Sequence, residues 1–105
     1  MNFGLPPDTI AKINRLFAAY PQVSEAIIYG SRAKGNYRPG SDIDLTLKGE
    51  DLTGALLSEI QRGLDELNTP YLFDISVLAT LNSPDLQDHI NRVGQVFYSK
   101  PGKEQ

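Results

Sequence analysis

One six-residue segment limits the folds open to this chain. Residues 42–47, DIDLTL, alternate polar and apolar side chains, which is the pattern of a β-strand with one buried face. Side chains two residues apart point to the same side of a strand, so Asp42 and Asp44 share one face and the apolar residues share the other. The segment therefore predicts a strand that buries its apolar face and presents two carboxylates on the opposite face.

The rest of the chain alternates between helical and strand patterns. Helical spacing of apolar residues predicts long helices, short apolar runs predict strands, and residues 31–35 can form a single helical turn. Helices are predicted at residues 6–21, 51–68 and 84–93, and strands at residues 25–29, 42–47, 71–79 and 95–99, the last an edge strand. Helices alternating with strands indicate an α/β or α+β fold, a small mixed sheet with flanking helices.

Composition limits the class of protein. A chain of 105 residues that is 40% apolar can build one core, so we expect a single domain over residues 1–98 and a polar tail over 99–105. The absence of cysteine excludes disulfides, thiolate zinc sites and a cysteine nucleophile. A net charge of −3 argues against strong nucleic-acid binding by this chain alone. With no apolar run near the ~20 residues of a membrane span and no signal pattern, we expect a soluble cytoplasmic protein that does not enter a membrane.

The two carboxylates of the central strand repel each other. Their backbone separation is about 6.6 Å, which corresponds to roughly 2.5 kcal/mol of repulsion at an effective dielectric constant of ~20. A cation between Asp42 and Asp44 would turn this cost into a binding site, and Mg²⁺ commonly takes one or two carboxylates and completes its shell with water and substrate phosphates. The alternative is that both carboxylates are solvated on an open sheet face.

A possible phosphate site precedes this strand. Gly30 and Ser31 lie where a strand would turn into a short helix, where glycine permits close approach of a ligand and free N–H groups attract phosphate. The Ser31 hydroxyl can add a donor, and Arg32 and Lys34 add positive charge beside it. A simple turn is the alternative for Gly30-Ser31 alone. An anion site next to a cation site predicts a site for a metal-bound triphosphate.

A third carboxylate lies in a later apolar strand. Asp74 stands between apolar residues in the segment LFDISVL, and a charged residue buried there would need a partner or a metal. The alternative is that Asp74 is exposed or paired with a basic side chain. Together with Asp42 and Asp44 it completes a set of three carboxylates that suits two-metal phosphoryl or nucleotidyl transfer.

The segment YGSRAKGNYRPGSDIDL, residues 29–45, followed by FD at 73–74, resembles the nucleotidyltransferase superfamily that includes DNA polymerase β. The resemblance is closer to the minimal nucleotidyltransferases, the MntA-type antitoxins of HEPN/MNT systems. It implies two Mg²⁺ ions bound by aspartates and an aspartate that activates the incoming hydroxyl. It implies nucleotide-binding residues Gly30, Ser31, Lys34 and Ser41, and catalytic and metal-binding residues Asp42, Asp44 and Asp74. Lys34 stands where the family commonly has arginine.

The same resemblance implies a partner. In HEPN/MNT systems the partner is a HEPN-domain RNase toxin held in a hetero-oligomer, and the antitoxin transfers AMP from ATP to one of its tyrosines. Two alternatives stay open from the sequence: a silent module that neutralises its partner by contact, and an enzyme acting on a small molecule or an RNA end. His89 is interpreted as a surface or packing residue, and Tyr29 as a residue that packs rather than reacts. Tyr37 and Arg38 are interpreted as solvent-exposed loop residues, with contact to the nucleotide base or ribose as the alternative.

Overall fold

The computed structural model describes residues 3–101 of the chain. Within them, all predicted helices and strands form, with bounds that differ by a few residues. The helices are α1 (Pro7–Ala18), α2 (Ser31–Lys34), α3 (Gly54–Asp65) and α4 (Pro84–Val93), and the strands are β1 (Val23–Tyr29), β2 (Ile43–Gly49), β3 (Phe73–Val77) and β4 (Gln95–Ser99). The prediction of a mixed α/β fold is therefore confirmed.

Local side-chain chemistry explains several of these bounds. Helix α3 begins later than predicted because the Thr53 hydroxyl accepts the Leu56 N–H and caps the helix there. Helix α4 starts as predicted, with the Ser83 hydroxyl accepting the Leu86 N–H. The strand predicted to reach residue 79 ends at Val77, where a short 3₁₀ turn, Leu78–Thr80, follows it.

The four strands form one mixed sheet in the order β3-β2-β1-β4. Strand β1 runs antiparallel to both of its neighbours, whereas β2 and β3 are parallel because helix α3 connects them. Strands β3 and β4 are the two edges, which confirms the edge position predicted for the last strand. The centre of the sheet is thus the pair β1 and β2, whose connection contains α2 and the polar loop at residues 35–42.

The core lies on one face of the sheet. The apolar face of β2 is wholly buried, as the alternation predicts, and it shares a single apolar cluster with residues of α1 and α3. The fully buried members are Leu5, Ile13, Phe17, Val23, Ala26, Ile28, Ile43, Leu45, Leu47, Ile60 and Leu64. Because alternate side chains leave on the opposite face, burial of this cluster fixes the register that presents Asp44 on the other side.

The chain end continues the sheet beyond the predicted domain boundary at residue 98. Ser99 belongs to β4, and Lys100 donates its backbone N–H to the Ser24 carbonyl and its Nζ to the Pro21 carbonyl. Residues 102–105 of the predicted polar tail lie outside the described residues. Across residues 3–101, every helix is too short or too polar to traverse a lipid bilayer.

Candidate active site

The predicted carboxylates lie together where strands β2 and β3 begin. Asp44 on β2 is the register partner of Asp74 on the parallel strand β3, so their side chains leave the sheet on the same face. Asp42 lies one residue before β2 begins. Asp42 and Asp74 are exposed, while Asp44 is half-buried between them and β1. Asp74 therefore sits on an edge strand open to solvent, the second of the two environments considered for it.

The surroundings of Asp44 disfavour its charged form. Partial burial, followed by the nearby charges of Asp74 and Asp42, raises the pKa of the Asp44 carboxyl from its ordinary value of 3.8 to about 6. A bound cation would relieve both repulsions, and hard oxygen donors suit Mg²⁺. Within residues 3–101 no three acidic, histidine or cysteine side chains form a complete metal site. A carboxylate pair fits a Mg²⁺ ion that takes its other ligands from water and phosphate, and the ligand set stays a prediction.

Gly30 brings a tight turn against the Asp44 carboxylate. Its φ of 76° and ψ of −155° lie in a region that favours glycine, and a Cβ at this position would stand 2.5 Å from Asp44 Oδ2. The next residues form the predicted single turn α2, in which the Lys34 N–H donates to the Gly30 carbonyl. The structure thus places Gly30-Ser31 directly beside Asp44, and Lys34 is exposed on the same turn.

Arg32 does not add charge to the predicted phosphate site, so that interpretation is wrong. Its side chain is 2% exposed and points under the loop that precedes β2. The guanidinium donates to the carbonyls of Phe3, Pro39 and Ser41 and lies over the rings of two tyrosines. Burial is tolerated because a flat guanidinium can satisfy several carbonyls while stacking on aromatic faces.

Ser41 has a structural role in the same loop. Its hydroxyl accepts the Arg38 N–H at 2.8 Å, and its own N–H donates to the Arg38 carbonyl at 2.9 Å. The hydroxyl proton is still available to a ligand, so a nucleotide contact from Ser41 stays a prediction. Tyr37 is 36% exposed, which confirms its interpretation as a solvent-exposed residue, although its ring also packs on Arg32 and against Gly4.

His89 is a site residue that the sequence did not reveal. The Gly30 N–H donates to His89 Nε2 at 3.1 Å, and the imidazole packs edge-on against the Tyr29 ring. The ring contact confirms the packing interpretation, but the hydrogen bond also attaches α4 to the turn beside Asp44. Gln95 of β4 forms a separate link to α2, donating its Nε2 to the Ala33 carbonyl. The contact joins residues 59 positions apart, and a lone histidine in a helical pattern carries no signal for it.

Tyr29 packs, as interpreted from the sequence, and lies next to Asp44. It is buried and pairs with Asp44 across β1 and β2. Burial raises the pKa of its hydroxyl, the hydrogen bond with Ser76 lowers it, and the nearby Asp44 and Asp74 carboxylates raise it again. The Ser76 hydroxyl also forms a hydrogen bond of 3.0 Å with the fully buried Thr46 hydroxyl. The hydroxyls of Tyr29, Ser76 and Thr46 therefore form a polar cluster next to Asp44 and Asp74.

We expect Asp44→Asn to stabilise the metal-free protein at neutral pH. Because the folded-state pKa is about 6 and the ordinary value is 3.8, the folded protein binds more protons between these values, and stability falls as pH rises through this window. The free energy of unfolding of the variant should exceed that of the wild type by about 1–2 kcal/mol at pH 7.5, a figure reduced for solvent screening. Below about pH 4 the two proteins should be equally stable. Urea unfolding at the two pH values tests this, with the exposed Asp65→Asn as control. Equal effects at both pH values would contradict the assignment.

Comparison with known proteins now supplies a family context. Residues 11–103 match the family model described as polymerase beta, nucleotidyltransferase. A crystal structure of a toxin-antitoxin with AMP-PNP has a TM-score of 0.68 at 21% identity, covering 92% of this chain and 76% of that one. A crystal structure of a mutant of the toxin-antitoxin MntA–HpeT has a TM-score of 0.65 at 18% identity, covering 92% of this chain and 75% of that one. No curated protein matches the chain.

A further solved structure contains a tri-AMPylated Shewanella oneidensis HEPN toxin in complex with an MNT antitoxin. It aligns with a TM-score of 0.64 at 18% identity, covering 91% of this chain and 74% of that one. At such identities the likeness establishes the fold, which agrees with the mixed sheet and flanking helices described above.

Proposed function

Because the chain belongs to the polymerase beta nucleotidyltransferase family, we propose that it is a Mg²⁺-dependent enzyme that transfers AMP from ATP to a tyrosine of a HEPN toxin and thereby acts as an antitoxin. The observation that carries the proposal is the contact between the Gly30 turn and Asp44, with Asp74 alongside. A turn that can bind phosphate, next to a carboxylate pair that can bind a cation, suits a metal-bound triphosphate.

Each residue has a separate role in this proposal. Ser31 binds the phosphates through its backbone N–H and its hydroxyl, Gly30 lets them approach the backbone closely while its own N–H donates to His89, and Lys34 adds a mobile positive charge. Asp42 and Asp44 hold Mg²⁺, which when bound neutralises charge on the triphosphate and the leaving pyrophosphate. The oxygen of the tyrosine hydroxyl bonds to the α-phosphorus, and pyrophosphate leaves on the opposite side. Asp74 accepts the proton that the tyrosine hydroxyl loses.

The openness of the acids suits a protein acceptor. Asp42 and Asp74 are exposed, and β3, which carries Asp74, is an edge strand of the sheet. A side chain from another protein can therefore approach the α-phosphate from the β3 side. Three structural relatives are complexes of an antitoxin with a toxin, and in one of them the HEPN toxin is AMPylated, which supports this choice of acceptor.

Co-expression with the neighbouring gene product, followed by intact-mass measurement, tests the proposal. We expect the partner to gain AMP units with the wild-type chain and none with Asp44→Asn, while Asp65→Asn behaves as wild type. Suppressed toxicity without added AMP would favour neutralisation by contact. Neither complex nor modification would leave a small-molecule or RNA-end acceptor as the better function.

We expect His89→Phe to weaken ATP binding while preserving the fold. Phenylalanine keeps the ring packing on Tyr29 but leaves the Gly30 N–H without its acceptor, so the turn shifts from the phosphates. The loss of one such hydrogen bond predicts a rise of about tenfold in the KM for ATP. His89→Gln, which places an oxygen near the Nε2 position, should restore most of the affinity. An unchanged KM in His89→Phe would show that His89 only packs.

A further inference from the structure

Arg32 is a buried cation that the proposed chemistry does not use. Nε donates to the Ser41 carbonyl at 3.2 Å, Nη2 to the same carbonyl at 2.9 Å and to Pro39 at 3.3 Å, and Nη1 to Phe3 at 2.9 Å. The guanidinium carbon lies 5.2 Å and 5.1 Å from the ring centres of Tyr37 and Tyr71. Among residues 3–101 no carboxylate forms an ion pair with Arg32. Its carbonyl and aromatic partners therefore balance the cost of burying this charge.

The carbonyls that Arg32 holds belong to separate parts of the chain. Phe3 lies ahead of α1, and Pro39 and Ser41 lie in the loop before β2. The Ser41 carbonyl receives two of the four hydrogen bonds, and Ser41 directly precedes Asp42 in sequence. The preceding residues 34–40 are all exposed, and the ring of Tyr37 packs on Arg32 itself. Asp42 is therefore held on one side by the hydrogen bonds at Ser41 and on the other by Ile43, which is fully buried and donates its N–H to the Leu72 carbonyl at 2.9 Å.

We propose that Arg32 is a positioning residue that fixes Asp42 relative to Asp44 through the Ser41 carbonyl. The role of Asp42 toward a metal rests on the proposed function, but the link from Arg32 to the loop does not. Arg32 belongs to the turn that begins at Gly30, so one side chain couples the phosphate-binding turn to the metal-binding loop. Phosphate bound at the turn would therefore have the metal-binding loop already in position beside it, and a metal bound at the loop would have the turn in position.

Lysine cannot replace this arginine. The four hydrogen bonds of Arg32 come from three nitrogens spread along a flat group, whereas the three donors of an ammonium radiate from a single atom that offers no flat face to the tyrosine rings. Arg32→Lys should therefore lose most of the effect even though it keeps the charge. Arg32→Ala leaves a cavity bounded by the two tyrosine rings, which an added guanidinium ion of similar shape can fill.

Hydrogen exchange measured by NMR tests the positioning role without any ligand. In Arg32→Ala and Arg32→Lys, the amides of Arg38 and Ser41, which close the loop, should exchange about 10-fold to 100-fold faster than in the wild type. The amides of Ile28 and Leu45 in the core should accelerate no more than the loss of global stability, measured by urea unfolding, accounts for, and the loop amides should accelerate beyond it. Arg15→Ala, which removes an exposed arginine from α1, is the matched control. Loop amides that exchange as slowly as in the wild type would overturn the proposal.

Mn²⁺ binding, followed by electron paramagnetic resonance, tests the consequence for Asp42. Loss of a group that orients a metal ligand typically weakens metal binding about 10-fold to 100-fold, so Arg32→Ala and Arg32→Lys should show this loss and Arg15→Ala should not. Methylguanidinium, but not methylammonium, should restore both binding and slow exchange in Arg32→Ala. Restoration by both ions, or by neither, would contradict the proposed geometry.

The two measurements separate this inference from the proposed function. If the wild-type chain binds no Mn²⁺, the metal assignment fails, while the exchange of the Arg38 and Ser41 amides still decides the role of Arg32. If Arg32→Ala does not fold, Arg32→Lys and Tyr71→Leu, which removes one ring from the guanidinium, provide the same test. Wild-type exchange in both of these variants would overturn the positioning role.

Discussion

Asp44→Asn is expected to lower kcat/KM for nucleotidyl transfer by about 10³-fold or more. A metal ion contributes several kcal/mol of charge stabilisation to the transition state, and each 1.4 kcal/mol is worth tenfold in rate. Asp44 is the half-buried member of the acid group, flanked by Asp74 on one strand and by the Gly30 turn on the other side. An amide there keeps the shape of the carboxyl but removes the charge that would hold the cation.

The stability of the same variant makes this prediction sharper. Without metal, Asp44→Asn should be more stable than the wild type at pH 7.5, because the raised pKa shows that ionised Asp44 is disfavoured there. Loss of activity together with a gain in stability excludes misfolding as the cause. Added Mg²⁺ and ATP should stabilise the wild type and leave the variant unchanged. Turnover by Asp44→Asn at the wild-type rate would refute the metal assignment, and Asp65→Asn serves as the control for loss of an exposed carboxylate.

The features that the sequence predicts well are those encoded in short-range patterns. The alternation at residues 42–47 predicts both the buried face of β2 and the opposite orientation of Asp44. Gly30 is predicted from its place between an apolar run and a helical turn, and the structure adds the reason that no side chain fits beside Asp44 Oδ2. The sequence analysis groups Asp74 with Asp42 and Asp44, and the structure adds the parallel pairing of β2 and β3 that makes Asp74 the register partner of Asp44.

The features that the sequence does not reveal depend on contacts between distant segments. Nothing local distinguishes Arg32, which turns inward, from Lys34, which stays exposed on the same turn. The difference arises because the Phe3 and Ser41 carbonyls and the Tyr71 ring converge beneath one side of α2. His89 is similar, since only the packing of α4 on β1 brings its ring to the Gly30 N–H. Single-sequence patterns carry no information about such convergence.

Asp74 tests whether the third carboxylate is a base or a ligand. If it is the general base, Asp74→Asn should lower kcat by about 10²-fold to 10⁴-fold. Nucleotide binding should survive, because the charge of Asp74 is one cause of the raised pKa of Asp44. Its removal lowers that pKa, leaves Asp44 more fully ionised near pH 6 and strengthens the hold on a cation there.

The measurement that separates the two roles is a titration of Mg²⁺-ATP against the wild type, Asp74→Asn and Asp42→Asn near pH 6, combined with single-turnover rates. A general base predicts equal or tighter binding in Asp74→Asn and a slow chemical step. A metal ligand predicts weakened binding in Asp74→Asn comparable to that in Asp42→Asn, and that result would move Asp74 from proton transfer to metal coordination. Its exposed position on the edge strand β3, where an acceptor hydroxyl can reach it, favours the base.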